Sequence, residues 1–358
     1  MKDRIMVAMS GGVDSSVAVA LLQEQGFACY GVMMRMFDET RPEFAGGGAG
    51  NAEDAARVAE RFGIPFEVAD GTEIFERCVI DRFVSTYEQG GTPNPCVDCN
   101  RCVKFGRLLQ IAEERGMDGL ATGHYARVRH DEESGRYLLL RAKDRCKDQS
   151  YMLYSLSQEQ LRRCHFPLGE YEKPEIREMA ARLGLANAEK KDSQDICFIP
   201  DGDYAGFLER VTGRNYEPGD FLSADGRVLG KHRGIIHYTI GQRKGLGISA
   251  EAPLYVTAIN PTDNTVTLSF GEGLFSDTVY CEEANWISVA ELAGPMRVRA
   301  KIRYRHEAEA AWVYPNGAEG FRVVFDRPQR AVTRGQACVL YDGDVVVGGG
   351  TICRGAME

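Results

Sequence analysis

Residues 8–16 read AMSGGVDSS, a run of glycines and hydroxyls that can hold phosphate. Gly11 and Gly12 let backbone N–H groups come close to an anion. Ser10, Ser15 and Ser16 add hydroxyl donors. Asp14 would repel a phosphate unless it holds a cation or positions a serine. The segment lies between an apolar run and a helical pattern, so the positive end of a helix dipole adds to the loop. The pattern is not GxxxxGK[ST], which needs a lysine, and it is not GxGxxG. The plain alternative is a glycine turn with Asp14 and Ser15 capping a helix.

Sulfur is the second chemistry on offer. The chain has 358 residues and 11 cysteines. An odd count in a long chain argues against a disulfide scaffold and for thiols in a reducing compartment. Most of these thiols are expected to be small core residues. Cys96, Cys99 and Cys102 are spaced C-x2-C-x2-C, a spacing that also begins an iron–sulfur run, but no fourth ligand follows nearby. Two of them with Cys197 would also suit zinc.

The formal net charge of −9 argues against nucleic acid, since phosphates need Lys and Arg. Binding requires only a local patch, however, and two stretches supply one. Lys231, His232, Arg233, His237, Arg243 and Lys244 cluster in sequence. Arg297, Arg299, Lys301, Arg303 and Arg305 alternate along an expected strand, with Tyr304 and His306 among them. Such a row puts its bases on one face. Bases interleaved with aromatics suit RNA.

The motifs together carry a resemblance. AMSGGVDSS has the SGGxDS pattern of the ATP-pyrophosphatases. Residues 92–105 (TPNPCVDCNRCVKF), 122–125 (TGHY), 147–151 (KDQSY), 192–199 (DSQDICFI) and 238–246 (YTIGQRKGL) follow in order along nearly the whole chain. This set resembles the tRNA-specific 2-thiouridylases. The resemblance implies ATP-dependent 2-thiolation of the wobble uridine in tRNAs for lysine, glutamate and glutamine, with ATP and Mg2+ as cofactors. It implies that the uracil C2 oxygen is adenylated, that Cys197 carries a persulfide, and that Cys99 is the nucleophile resolving it, with Asp14 also catalytic. ATP would be lined by Ala8, Met9, Ser10, Gly11, Gly12, Val13, Asp14, Ser15, Met34 and Gly123. Asn94, Pro95 and Cys96 would meet the target base, which must leave its stack to react. Cys96 stands where some members have Asp. His124, Lys147, Asp148, Gln149, Arg303, Tyr304 and Gln336 would meet tRNA. His124 also reads as a satisfied core histidine. No metal is assigned to the cysteines. The implied partners are tRNA and a persulfide donor such as a cysteine desulfurase or sulfur relay protein.

Elements to position these groups can be read along the chain. Strands are expected at residues 4–9, 29–33, 66–69 and 119–122. Helices are expected at 13–25, 52–62, 73–87 and 104–115. That alternation predicts an α/β fold with a parallel, Rossmann-like sheet. Residues 40–51 read as a Gly-rich loop, 126–141 as a hairpin, and 157–164, 173–183 and 203–211 as helices. Beyond them the chain reads as short strands and turns. The expected domains are a catalytic domain at 1–211, a small β-rich module at 212–276 and a β-barrel-like module at 277–358, with a break near 276–288. No run approaches a membrane span or a signal peptide, so a cytoplasmic enzyme is expected. A small-molecule adenylating enzyme and a non-catalytic RNA-binding or sulfur-carrying protein are the competing readings. The basic strand speaks against the first, and the complete loop against the second.

Overall fold

The computed structural model describes residues 3–44, 52–185, 196–317 and 319–355. Most of the expected loop at 40–51 and residues 192–195 of DSQDICFI lie outside the described residues. The chain forms two compact units. One gathers Met1–Val79, Cys96–Gly202 and Asp344–Val347; the other gathers Ile80–Pro95, Asp203–Gly343 and Gly348–Glu358.

The first unit is α/β. Strand β1 (Arg4–Ala8) is followed by helix α1 (Val13–Glu24), β2 (Ala28–Arg35), α2 (Ala52–Phe62), β3 (Phe66–Asp70) and β4 (Gly119–Ala121). All strands are parallel, in the order β3-β2-β1-β4, and the two-residue strand Cys164–His165 extends the β4 edge. The order reverses between β1 and β4, where a parallel sheet opens a crevice for ligands. Helix α1 reads VDSSVAVALLQE and is apolar nearly all round, which requires cover on both sides. Val19 and Leu22 pack with Ile5 and Val7 of β1 and with Ala55 and Val58 of α2. Val17, Ala18 and Leu21 pack with Ile176 and Ala180 of the helix Lys173–Arg182.

The segment expected as a helix at 104–115 begins earlier. It runs as a short helix Pro95–Asp98, a π-helix Cys99–Arg107 and a last α-helical part Leu108–Glu114. The helix at 73–87 is likewise interrupted by a π-turn, Glu76–Ile80. π-Geometry in mid-helix often marks a functional site.

The second unit is β-rich. Strands Gly219–Ser223, Val228–His232, Tyr255–Asn260 and Thr265–Ser269 form a four-stranded sheet. A turn closed by Gly226 N donating to Ser223 O joins the first two of these strands. Strands from Phe275–Trp286 through Val345–Cys353 form a barrel that closes by pairing of Phe275–Trp286 with Val345–Cys353. The expected break at 276–288 is instead a 12-residue strand with partners on both sides. Register shifts at Ser276/Thr278 and Glu282/Asn285, and Glu283 at φ 53, spoil the alternation that would have marked it.

The basic row is also shorter than expected. Its strand ends at Lys301, and of its five bases Arg297, Arg299 and Arg305 are exposed. Arg297 pairs with Asp326, while Lys301 is buried with its ammonium 5.5 Å from the Tyr304 ring centroid. Arg303 donates to the Arg330 carbonyl. In the other basic cluster His232 is a core residue: its Nδ1 accepts from Gly234 N, which leaves Nε2–H to donate to Asn264 O at 3.0 Å. Lys231 pairs with Asp220. Arg233, Arg243 and Lys244 remain exposed.

Candidate active site

The loop of residues 9–12 leaves the C-terminal end of β1. Gly11 has φ 71, a conformation that favours glycine. The N-terminus of α1 has no side-chain cap. Ser15 and Ser16 hydroxyls donate back to Gly12 O at 3.1 and 2.9 Å, and Ser10 N donates to Ser15 Oγ at 3.3 Å. The uncapped first turn of α1 thus lies beside a glycine turn, a setting that suits an anion.

TGHY leaves the end of β4, across the reversal of strand order. Gly123 presses against the loop: a Cβ there would lie 2.9 Å from Ser15 N and 3.0 Å from Asp14 C. Only glycine allows that approach. Tyr125 donates its hydroxyl to Asp14 Oδ1 at 2.9 Å, and its own N–H donates to Gln149 Oε1 at 2.9 Å. Asp148 is buried and accepts from Arg141 Nε, Ala142 N and the Ser150 N–H and hydroxyl. KDQSY therefore braces TGHY from behind. Lys147 is half-buried beside it.

Sequence reasoning missed Lys173. Its ammonium lies 2.8 Å from both Asp14 carboxylate oxygens, is 7% exposed, and sits 5.7 Å from the Tyr125 ring centroid. The loop lacks the lysine of a GK[ST] motif, yet a lysine reaches it from the start of another helix. The two residues are 159 apart in sequence, so no local pattern reveals the pair.

Next along TGHY comes His124. It is buried, with Nδ1 2.7 Å from Thr122 Oγ1 and its ring 5.8 Å from Phe105 and 6.2 Å from Phe166. Burial, reinforced by the Lys104 ammonium, pushes its pKa well below the usual value, so the ring is neutral. The satisfied-core reading of His124 accounts for all of this.

Phe105 and Lys104 belong to the π-helix that begins at Cys99. Cys99 is buried, and burial pushes its thiol up to about 12; Lys104 opposes this, while Cys197, Cys96 and Asp98 add to it. Cys197 is pushed up to about 11, again by burial first, with Cys96 adding and Lys104 opposing. Cys96 is exposed, yet its thiol is also raised by its crowded surroundings, with Lys104 opposing. Cys96, Cys99 and Cys197 thus lie within electrostatic reach of one another and of Lys104, although about a hundred residues separate the last two. Cys99 Sγ also contacts Met36 Sδ at 3.9 Å. Lys104 is the second group that sequence reasoning missed, hidden inside the motif that supplied the cysteines.

Cys102 does not join this cluster. Its thiol is raised first by burial, with Arg101 opposing and Cys78, on the π-turn Glu76–Ile80, adding. Of the eleven thiols only Cys29, Cys99, Cys164, Cys281 and Cys338 are buried, fewer than expected.

Met34 is buried near the end of β2. Asn94 is half-buried and Pro95 opens the short helix that carries Cys96. In the second unit Gln336 Nε2 donates to Thr92 O and Pro93 O, both at 3.0 Å, and so holds the segment that leads to Asn94.

A parallel sheet with an uncapped glycine loop at its strand reversal defines an α/β nucleotide-loop domain, here furnished with a thiol cluster. Residues 3–201 match the tRNA methyl transferase HUP domain, residues 205–269 the tRNA methyl transferase PRC-barrel domain, and residues 276–352 the aminomethyltransferase beta-barrel domain. The tRNA-specific 2-thiouridylase MnmA of Clostridioides difficile is 46% identical over 98% of both chains. That of Moorella thermoacetica is 49% identical over 97% of this chain and 98% of its own. That of Heliobacterium modesticaldum is 49% identical over 99% of this chain and 93% of its own. The chain belongs to the tRNA-specific 2-thiouridylase family, whose members are sulfurtransferases. No helix among the described residues is long and apolar enough to cross a membrane.

Proposed function

We propose that this protein makes 2-thiouridine at the wobble position of tRNAs for lysine, glutamate and glutamine, using ATP and a protein-bound persulfide. The observation that carries the reading is the continuity of TGHY. Gly123 touches the nucleotide loop and His124, one residue on, packs on the helix of the thiols. Activation and sulfur delivery therefore share one wall.

ATP fits the loop. The uncapped α1 N-terminus, the φ of Gly11 and the close approach of Gly123 form a cradle for its phosphates. Residues 8–15, with Met34 and Gly123, would line it. Among the described residues no group of three or more His, Cys, Asp or Glu is gathered for a metal. Both Asp14 oxygens are engaged by Lys173, so Mg2+ would be held by the phosphates and water, as this ion's preference allows.

A uracil oxygen is a poor leaving group, and its adenylation at C2 makes it a good one, with pyrophosphate released. Cys197 accepts a sulfur from a persulfide donor, such as a cysteine desulfurase or sulfur relay protein. The Cys99 thiolate attacks the inner sulfur of that persulfide, forming the Cys99–Cys197 disulfide and expelling hydrosulfide. Hydrosulfide adds to C2, and AMP leaves with the oxygen. Lys104 favours the thiolates, against the burial that raises them. Asn94, Pro95 and Cys96 border the base. Lys147, Arg303 and Tyr304 contact tRNA; His124, Asp148, Gln149 and Gln336 act through the segments that they brace. A reducing cytoplasm suits free thiols of this kind.

The test is nucleoside mass spectrometry of tRNA from cells lacking the protein. The reading requires loss of 2-thiouridine derivatives, restored by the parent gene and not by Cys99→Ser or Cys197→Ser. Unchanged 2-thiouridine in the deletion strain would refute it.

A further inference from the structure

Hydrogen bonds close a ring between the nucleotide loop and the segment that begins at Asp144, a half-buried residue outside every motif. On one side the Lys173 ammonium donates to both carboxylate oxygens of Asp14 at 2.8 Å. The backbone N–H of the same lysine donates to Asp144 Oδ2 at 3.0 Å. Asp144 Oδ1 accepts from Cys146 N at 2.9 Å and from Lys147 N at 3.2 Å. One carboxylate thus fixes both the start of the helix Lys173–Arg182 and the turn into KDQSY. On the other side Tyr125 donates its hydroxyl to Asp14 Oδ1 at 2.9 Å. Gln149 holds the Tyr125 backbone at both polar groups: its Oε1 accepts from Tyr125 N at 2.9 Å, and its own N–H donates to Tyr125 O at 2.8 Å. Asp14 is therefore tied by two arms to residues 144–149.

We propose that Asp144 is a positioning residue that couples the two substrates, so that ATP at the loop and tRNA at Lys147 each tighten the binding of the other. The inference rests on the reading above that the loop takes ATP and that Lys147 meets tRNA. A nucleotide phosphate attracts the Lys173 ammonium, and a tRNA phosphate attracts Lys147. Both pulls act on the same ring. Ordering that ring costs conformational entropy, which the first ligand meets and the second does not. The coupling is reciprocal by thermodynamic necessity. Its effect is to favour the complex of enzyme with both substrates over either complex with one.

The experiment uses the full-length enzyme, unmodified tRNA and α,β-methylene-ATP, which cannot be cleaved between its α- and β-phosphates. The Kd for tRNA is measured with and without the analogue. In the parent the analogue is expected to tighten tRNA binding at least about fivefold, and tRNA to tighten the analogue by the same factor. Asp144→Asn keeps an oxygen for the Cys146 and Lys147 amides but presents an NH2 group to Lys173 N, which cannot accept its hydrogen. The factor is then expected to fall below about twofold. Tyr125→Phe cuts the other arm at Asp14 and is expected to lower the factor too, which serves should Asp144→Asn unfold. Lys143→Met is the control, because Lys143 joins the same two segments by a 3.3 Å ion pair with Glu175 that lies outside the ring. It should keep the parent factor. A variant that is only loosened weakens each single complex and leaves the factor unchanged. Hydrogen exchange gives a second readout: the analogue alone should slow amide exchange over residues 144–149 in the parent and not in Asp144→Asn. A parent factor near one, a parent factor retained in Asp144→Asn with the parent exchange response, or an equal loss in Lys143→Met overturns the inference. The sulfur-transfer reading survives those outcomes if the same parent preparation thiolates tRNA. A preparation that forms no 2-thiouridine from tRNA, ATP and persulfide overturns that reading, and this inference with it.

Discussion

Replacing Lys173 by Met isolates the charge at the nucleotide loop. Methionine keeps the stem that lies over Tyr125 and removes the ammonium. At 2.8 Å and an effective dielectric near 20, the Lys173–Asp14 attraction is about 6 kcal/mol before desolvation. Desolvation offsets much of that, and Asp14 is still 29% exposed. Cutting one partner from a pair of this kind costs about 2–3 kcal/mol, below the range for fully buried pairs. Function should suffer for a related reason. Asp14 would keep only the Tyr125 hydroxyl and would face incoming phosphate as an uncompensated anion. A lost charge-assisted contact of about 1.5–3 kcal/mol weakens ATP binding about 10- to 150-fold. Calorimetric ATP titration measures this, with Lys173→Arg as the charge-retaining control. A double-mutant cycle with Asp14→Asn, followed by thermal unfolding, gives the coupling. A folded Lys173→Met protein with parental ATP affinity, or a coupling below about 0.5 kcal/mol, would refute the reasoning.

Gly123→Ala puts a Cβ against the backbone of Asp14 and Ser15, so ATP binding is expected to fall at least about tenfold while the thiols still accept sulfur; equilibrium binding with parallel persulfide assay checks both. Cys197 and Cys99 are pushed up to about 11 and about 12, so both are protonated at neutral pH. Their alkylation rates should rise about tenfold per pH unit from 7 to 10 without a plateau, Cys197 ahead of Cys99; a plateau near pH 8.5 would contradict the burial argument. Lys104→Met should slow both alkylations, read by peptide mass spectrometry. Gln336→Leu removes two hydrogen bonds to the backbone at residues 92 and 93, so 2-thiouridine formation should fall while ATP affinity stays within about twofold of the parent.

The sheet was legible because each strand is a short apolar run closed by a turn, and the glycine loop sits where β1 meets α1. The helix at Cys96 and Cys99 was not. TPNPCVDCNRCVKF has mostly poor helix formers, and its helix packs against the segment Thr72–Phe75. The long strand Phe275–Trp286 was hidden by its two register shifts. Basic residues misled in two places: His232 and Lys301 look like surface charge in sequence but are core in the fold. The motifs supplied the loop and the cysteines, whereas the place of Lys173 arises only from tertiary packing.

The most direct measurement is a single turnover with purified protein, tRNA and ATP, with labelled persulfide sulfur on Cys197. The account predicts that label enters 2-thiouridine in step with AMP release, one for one, and that both stop without ATP or in Cys99→Ser. Labelled 2-thiouridine formed without ATP, or by Cys99→Ser at the parent rate, would contradict it.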